Sequence, residues 1–387
     1  MSKNKIKVLQ ITGAMNRGGA EVMLMDIYRN ISSDFHFDFL VNYKLNEGIR
    51  KGDFDNEIET LGGEVLHIGT QWDVGFLKYI KEFKKIIEGN GVPDIVHIHM
   101  NAKSGVIALA AKKAGVKNII VHSHADLKFR GSLPYVLVSK LELQFQKYLI
   151  SKYATNYWGC SQEANESLFY KKLLTPEKSS IIKNAVDVEV YQAVLNKDVD
   201  KLRESYKINE QTIVFGNVGR VVRHKNVDFI MDVLNDFQKE HIDFVFVFAG
   251  RDEQPEYLKE IFDKAEQYKL LDKIKYLGVR DDIPVVMNSF DVFIGPALQE
   301  GFGLVAVEAQ AAGVPCVLYN GFPKSVDMGF GFVKFLNNFE VSNWTLAIKD
   351  LPRENPNFKD IKESITSKGF DSRSNTKRIE NLYKLMT

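Results

Sequence analysis

The chain has 387 residues, 45% of them hydrophobic and 26% charged, which suits two ordinary domains and excludes a disordered or low-complexity protein. Fifty-one basic residues against 50 acidic ones leave a formal charge of +1, so no global field attracts nucleic acid and any basic site is local. Two cysteines, Cys160 and Cys316, both in apolar strand-like runs, exclude a disulfide framework and read as buried thiols of a reducing compartment.

The amino terminus passes from its lysines straight into a strand pattern, unlike a secretory signal, and no run approaches the ~20 apolar residues of a membrane span, so a cytoplasmic protein is expected. Strands are predicted at residues 6–11, 37–41, 64–68, 94–99, 118–122 and 156–160, with helical periods between them. Ala20, Leu24, Ile27 and Ile31 make one apolar face of the first crossover helix. Phe76, Ile80, Phe83 and Ile87 make another beneath several lysines, which reads first as a crossover helix and second as a basic face for anionic lipid. A polar stretch at 184–200 precedes a second strand series at 212–217, 243–248, 273–277, 291–295 and 315–318. The expected fold is therefore α/β, with two Rossmann-like doubly wound parallel-sheet domains, 1–190 and 191–387, facing a central cleft. The tail from Ser372 reads as a charged helix whose pattern leaves either domain open as its seat.

Ligands of such sheets sit at the carboxyl ends of strands, so chemistry is sought in the strand-to-helix loops. After the first strand, Gly18, Gly19 and Ala20 place backbone amides at a helix start, suited to an anion or simply to a tight turn. The equivalent loop of the second domain runs from Gly219 and Arg220 to Lys225, offering a fork and a point charge to a diphosphate. Glu300 and Glu308 stand eight apart across a predicted helix start near Gly303, where the amides of Phe302, Gly303 and Leu304 lie free. That puts Glu308 ~7.5 Å along the helix axis, so the two carboxylates can address one extended ligand. The same stretch matches the dinucleotide fingerprint G-x-G-x-x-[GA], but it follows no first strand and lacks the later acidic residue, which weakens a nicotinamide enzyme. His97, His99, His122 and His124 form two i, i+2 pairs at the ends of adjacent strands. With no further ligand in step, metal is not expected there; His122 is expected to support His124, and His97 and His99 read as structural.

Taken together, GGAE at 18–21, VHSHA at 121–125, GCS at 159–161, NAVD at 184–187, GRVVRHK at 219–225, FAGR at 248–251, GVRDD at 278–282 and the glutamate pair at 300 and 308 resemble glycosyltransferase family 4 over nearly the whole chain. These are retaining enzymes of the GT-B fold, and the likeness is to the bacterial capsule and exopolysaccharide branch. The resemblance implies that Arg220 and Lys225 grip the diphosphate of a nucleotide sugar, with Gly219 in their loop and the Gly19 amide meeting it from the other domain. It implies Glu308 on the ribose hydroxyls, Glu300 with the amides of Phe302, Gly303 and Leu304 at the donor sugar, Val279 and Arg280 reading uracil through the backbone, and His124 beside the transferred sugar. Its partners are a UDP sugar and a glycan or lipid-linked glycan acceptor, with peripheral membrane contact, no cofactor and no metal. Three acidic pairs, at 53/55, 187/189 and 198/200, read as solvated surface rather than as metal-binding D-x-D. The segment from Gly321 to Asp327, GFPKSVD, departs from the acidic residue that many relatives carry after a proline, leaving the donor sugar open. A catalytically inactive relative is the alternative, against which the retained Arg220, Lys225, Glu300 and Glu308 stand.

Overall fold

The computed structural model describes residues 5–127, 129, 132–209, 211–352 and 356–387. Two compact units divide the chain, Met1–Ala185 with Ser372–Thr387 and Val186–Asp371. The boundary expected near 190 thus falls at 185/186, and residues 372–387 belong with the first unit rather than the second. The reason is aromatic. Ile379 and Tyr383 of the last helix, Ser372–Lys384, are buried in the same core as Phe35, Phe37 and Trp158, and the Tyr383 ring stacks on Trp158 at 5.7 Å. Lys384 pairs with Asp34 at 2.9 Å and closes the seam.

The first unit holds seven strands: β1 (Ile6–Thr12), β2 (Phe35–Tyr43), β3 (Val65–Gly69), β4 (Ile95–Ile98), β5 (Asn118–Ser123), β6 (Asn156–Gly159) and β7 (Ser179–Ile181). They form a wholly parallel sheet in the order β3-β2-β1-β4-β5-β6-β7. The second unit repeats the plan with β8 (Ile213–Val218), β9 (Phe244–Ala249), β10 (Ile274–Tyr276), β11 (Val292–Gly295), β12 (Cys316–Tyr319) and β13 (Val333–Leu336), ordered β10-β9-β8-β11-β12-β13. A parallel sheet covered on both faces buries whole strands, which is why β9, FVFVFA, is buried at every residue. In each sheet the order reverses beside the first strand, between β1 and β4 and between β8 and β11, where ligands of such folds sit.

Helix Phe76–Asn90 buries Tyr79, Phe83 and Ile87, so its apolar stripe is spent on the first unit's core. Both cysteines are free and buried. No helix among the described residues is long and apolar enough to cross a membrane.

Candidate active site

In the second unit the strand-end loops are laced by backbone hydrogen bonds. Gly219 N donates to Ala249 O at 2.9 Å, Gly250 N to Gly278 O at 2.8 Å, Leu298 N to His224 O at 2.8 Å and Glu300 N to Gly321 O at 2.9 Å. Two glycines permit this approach. A Cβ on Gly250, which holds φ at +149°, would overlap the Gly219 carbonyl oxygen, and one on Gly321 would overlap that of Ala297.

The lacing brings Gly219, Lys225 and Glu300 together. Lys225 leaves a single turn of 3₁₀ helix, Arg223–Lys225, packs over Gly219 and forms an ion pair with Glu300. Only 18% of the lysine side chain and 11% of the glutamate side chain are exposed. Arg220 turns outward instead, half exposed, to Glu253 at 3.0 Å. Its neighbour Arg223 grips Glu260 through both terminal nitrogens at 2.7 and 2.6 Å on the surface. Burial, and then the Lys225 and Arg220 charges, lower the pKa of the intervening His224.

Gly303, in the left-handed region at φ +71°, starts the helix Leu304–Ala311, and Glu308 lies half-buried on that helix. Phe302 rests on Phe370 at 5.5 Å, which fixes the backbone before the helix. Gln310 ties the helix to the next loop through Val326 O and Met328 N. Val279 is exposed beyond Gly278, while the Arg280 guanidinium is turned onto Asp282 at 2.7 and 2.6 Å, so this pair offers a ligand its backbone. Of the acidic pairs expected as solvated surface, Asp198 and Asp200 are exposed and Asp53 accepts from the Arg17 amide, but Asp55 and Asp187 are buried, Asp55 accepting from Gly52 N and Asp187 capping a helix through Glu189 N.

In the first unit, β1 leads to the helix Gly19–Asn30, capped by Gly18 with no side-chain bond. The space beside Gly19 is open, and the Glu21 carboxylate curls back toward Gly18. At the ends of β4 and β5 all four histidines gather on one face. His99 Nδ1 lies 2.7 Å from His124 Nε2, and His99 Nε2 lies 2.9 Å from Gln10 Oε1. His97 Nδ1 lies 2.6 Å from the Tyr383 hydroxyl and its Nε2 3.3 Å from His122 Nδ1. The expected support of His124 by His122 is thus a ring stack at 4.2 Å, and the hydrogen-bonding partner is His99. The parallel register sets Ile98 beside Val121, which carries the next residue, His99, toward the end of β5. His124 N donates to Asn101 Oδ1 at 2.7 Å, fixing the loop.

Burial pushes His97, His99 and His122 well below the usual imidazole range; it takes His124 down to about 4 against an opposing pull from the Asn184 side chain. Nitrogens of His97, His99 and His122 lie within 4.8 Å of one another, the set here closest to a metal-holding one. The same rings are hydrogen-bonded to Tyr383, Gln10, His124 and each other. Sequence reasoning missed Gln10, Asn101 and Tyr383; the only sequence signal was a buried-type polar residue inside an apolar strand at Gln10.

The family profile described as glycosyl transferases group 1 matches residues 198–363. Over 390 aligned residues the chain is 31% identical to the putative glycosyltransferase EpsF of Bacillus subtilis (strain 168), spanning 100% of this chain and 98% of that one. The chain belongs to the group 1 glycosyltransferases. It is also 29% identical over 297 residues, 75% of each chain, to the Escherichia coli UDP-Gal:alpha-D-GlcNAc-diphosphoundecaprenol alpha-1,3-galactosyltransferase. The fold of this glycosyltransferase, GT-B, is shared with Anabaena Alr3699/HepE, solved with UDP and glucose, at a TM-score of 0.76 and 20% identity over 98% of this chain and 100% of that one.

Proposed function

We propose that the chain transfers a hexose or N-acetylhexosamine from a UDP sugar, with retention and without metal, to a hydroxyl of a lipid-linked glycan in surface polysaccharide synthesis. The observation carrying this is the largely buried Lys225–Glu300 pair beside Gly219, a cation held at a strand end by a partner it can exchange. A doubly negative diphosphate offers Lys225 a stronger partner than one carboxylate does, and releasing Glu300 frees it for the sugar hydroxyls. Arg220 swings from its exposed partner Glu253 to the same phosphates, and Glu308 takes the ribose. The Val279–Arg280 backbone meets the base, and the amides of Phe302, Gly303 and Leu304 meet the sugar. In the transfer step the bond from the anomeric carbon to the phosphate oxygen breaks. The acceptor oxygen bonds to that carbon on the same face, and its proton passes to the departing phosphate. Lys225 and Arg220 stabilise the leaving charge, the role a metal plays in other transferases. The names of the Escherichia coli and Anabaena relatives support uridine and a lipid diphosphate acceptor. A panel of nucleotide sugars, assayed for hydrolysis and transfer with and without EDTA, tests this. Turnover of a UDP sugar that survives EDTA is expected, and turnover abolished by EDTA or confined to other nucleotides contradicts it.

The membrane contact we propose uses another helix than Phe76–Asn90, whose apolar stripe is buried. Helix Leu133–Tyr153 buries Leu143, Leu149 and Ile150 on one side and exposes Leu133, Leu137, Val138, Leu141, Phe145 and Tyr148 on the other. A helix apolar on both sides lacks the wet face of an ordinary surface helix, and an exposed stripe beside Lys140 suits an anionic lipid surface. Co-sedimentation with phosphatidylglycerol vesicles is expected, and loss of it in the triple variant Leu137→Ser, Leu141→Ser, Phe145→Ser. Wild-type protein left in the supernatant sinks the idea.

A further inference from the structure

The histidine group is one continuous hydrogen-bonded chain of six side chains. From one end, His122 Nδ1 meets His97 Nε2 at 3.3 Å, and His97 Nδ1 meets the Tyr383 hydroxyl at 2.6 Å. Gln10 Nε2 donates to that hydroxyl at 3.4 Å, Gln10 Oε1 meets His99 Nε2 at 2.9 Å, and His99 Nδ1 meets His124 Nε2 at 2.7 Å. Gln10, His97, His99 and His122 are at most 6% exposed, so a link lacking its proton, or holding two, is costly.

Each neutral imidazole has one N–H and one bare nitrogen, so each link dictates the next. With Gln10 Oε1 facing His99, the His99 proton sits on Nε2; its bare Nδ1 then accepts from His124 Nε2–H. On the other side Gln10 Nε2 donates to Tyr383, whose hydroxyl donates to His97 Nδ1, and His97 Nε2–H donates to His122 Nδ1. All four histidines are then Nε2–H tautomers. Turning the Gln10 amide over inverts every link and makes all four Nδ1–H. Mixed patterns leave at least one link unsatisfied, such as a buried Tyr383 hydroxyl with nothing to accept its proton.

We infer that Gln10 and Tyr383 are positioning residues for His124: they lock the four rings into one shared tautomer, Nε2–H, and so couple the seating of the last helix to the ring at the end of β5. This rests on the place beside the transferred sugar that the family resemblance implies for His124. His124 Nε2–H is taken by His99, and its Nδ1 is buried with the Asn184 side chain as its polar neighbour but no bond of good geometry between them. The ring therefore acts by its fixed shape and not as a proton donor to the acceptor.

The experiment is nitrogen-15 NMR of the full chain labelled at histidine, paired with steady-state kinetics. The wild-type protein is expected to show His97, His99, His122 and His124 all as Nε2–H. Tyr383→Phe keeps the ring that stacks on Trp158 and deletes one oxygen. It is expected to give mixed tautomers along the chain, with kcat several-fold lower and the donor KM within two-fold of wild type. Four rings without a common tautomer in the wild type, or stoichiometric zinc uptake that strips their protons, overturns the inference with no variant needed. Tyr383→Phe with unaltered tautomers and kcat overturns it as well. Separately, His124→Ala with unchanged kcat removes the place assigned to His124 beside the sugar, while the tautomer pattern still decides the chain.

Discussion

At the carboxyl end of β8 the second unit sets Gly219, Arg220 and Lys225, each cation paired with a carboxylate; at the ends of β4 and β5 the first unit sets four histidines that burial keeps neutral. The two sheets follow the same strand order, but the cations end the first strand of theirs and the histidines end the two strands beyond the reversal, and the chemistry differs in kind. Ion pairs that are partly exposed can trade a carboxylate for a phosphate at little cost, because the charge stays paired throughout. A buried neutral network has no such freedom, since every proton is committed. On the proposed function, one site receives charge and the other holds shape.

The largest effect that sharpens this contrast is expected at Glu300. Glu300→Gln removes the carboxylate proposed to meet the sugar and releases Lys225, so transfer should fall by roughly 10²–10³ while UDP itself binds no more weakly. A parallel loss of UDP affinity and turnover would mean that Glu300 only holds the loop. Next is Gly250→Ala, whose Cβ would overlap the Gly219 carbonyl at a backbone angle closed to alanine. It should destabilise the second unit by about 3 kcal/mol, read as a lower Tm, and an unchanged Tm would mean the loops are not laced as described.

Acid should separate the units. The histidine pKa values are lowered on folding, so below pH 6.5 the unfolded chain binds protons that the folded one refuses, and stability falls as pH drops toward about 4. Between pH 6.5 and 5, hydrogen exchange should show the first unit, with four such histidines, weakening more than the second, which has His224 alone lowered by burial. Equal loss in both would break the comparison. The smallest effects distinguish two arginines. Arg220→Ala should weaken UDP binding by about 1.5 kcal/mol, and Arg223→Ala by less than about 0.5 kcal/mol, because Arg223 spends its fork on Glu260.

Much of this was legible in the sequence. The apolar runs of β1, β2, β9 and β12 announce parallel strands, and the Gly219–Lys225 and Glu300–Glu308 stretches announce their loops. β7 and β13 went unseen, being three and four residues of mixed character, SSI and VKFL, made strands by their neighbours. Spacing could not tell Arg220 from Arg223, which differ in which glutamate lies across the fold. Nor could it join Gln10 to Tyr383, 373 residues apart, because the return of the last helix is written in its two large buried side chains, Ile379 and Tyr383, and not in its charged face.

The central claim is that Lys225 gives up Glu300 for the diphosphate of the donor. Isothermal titration of UDP into the wild-type protein and into Lys225→Ala tests it most directly. The account predicts binding by the wild type, weakened by on the order of 1.5–3 kcal/mol in the variant. Equal affinity in the two proteins would contradict it.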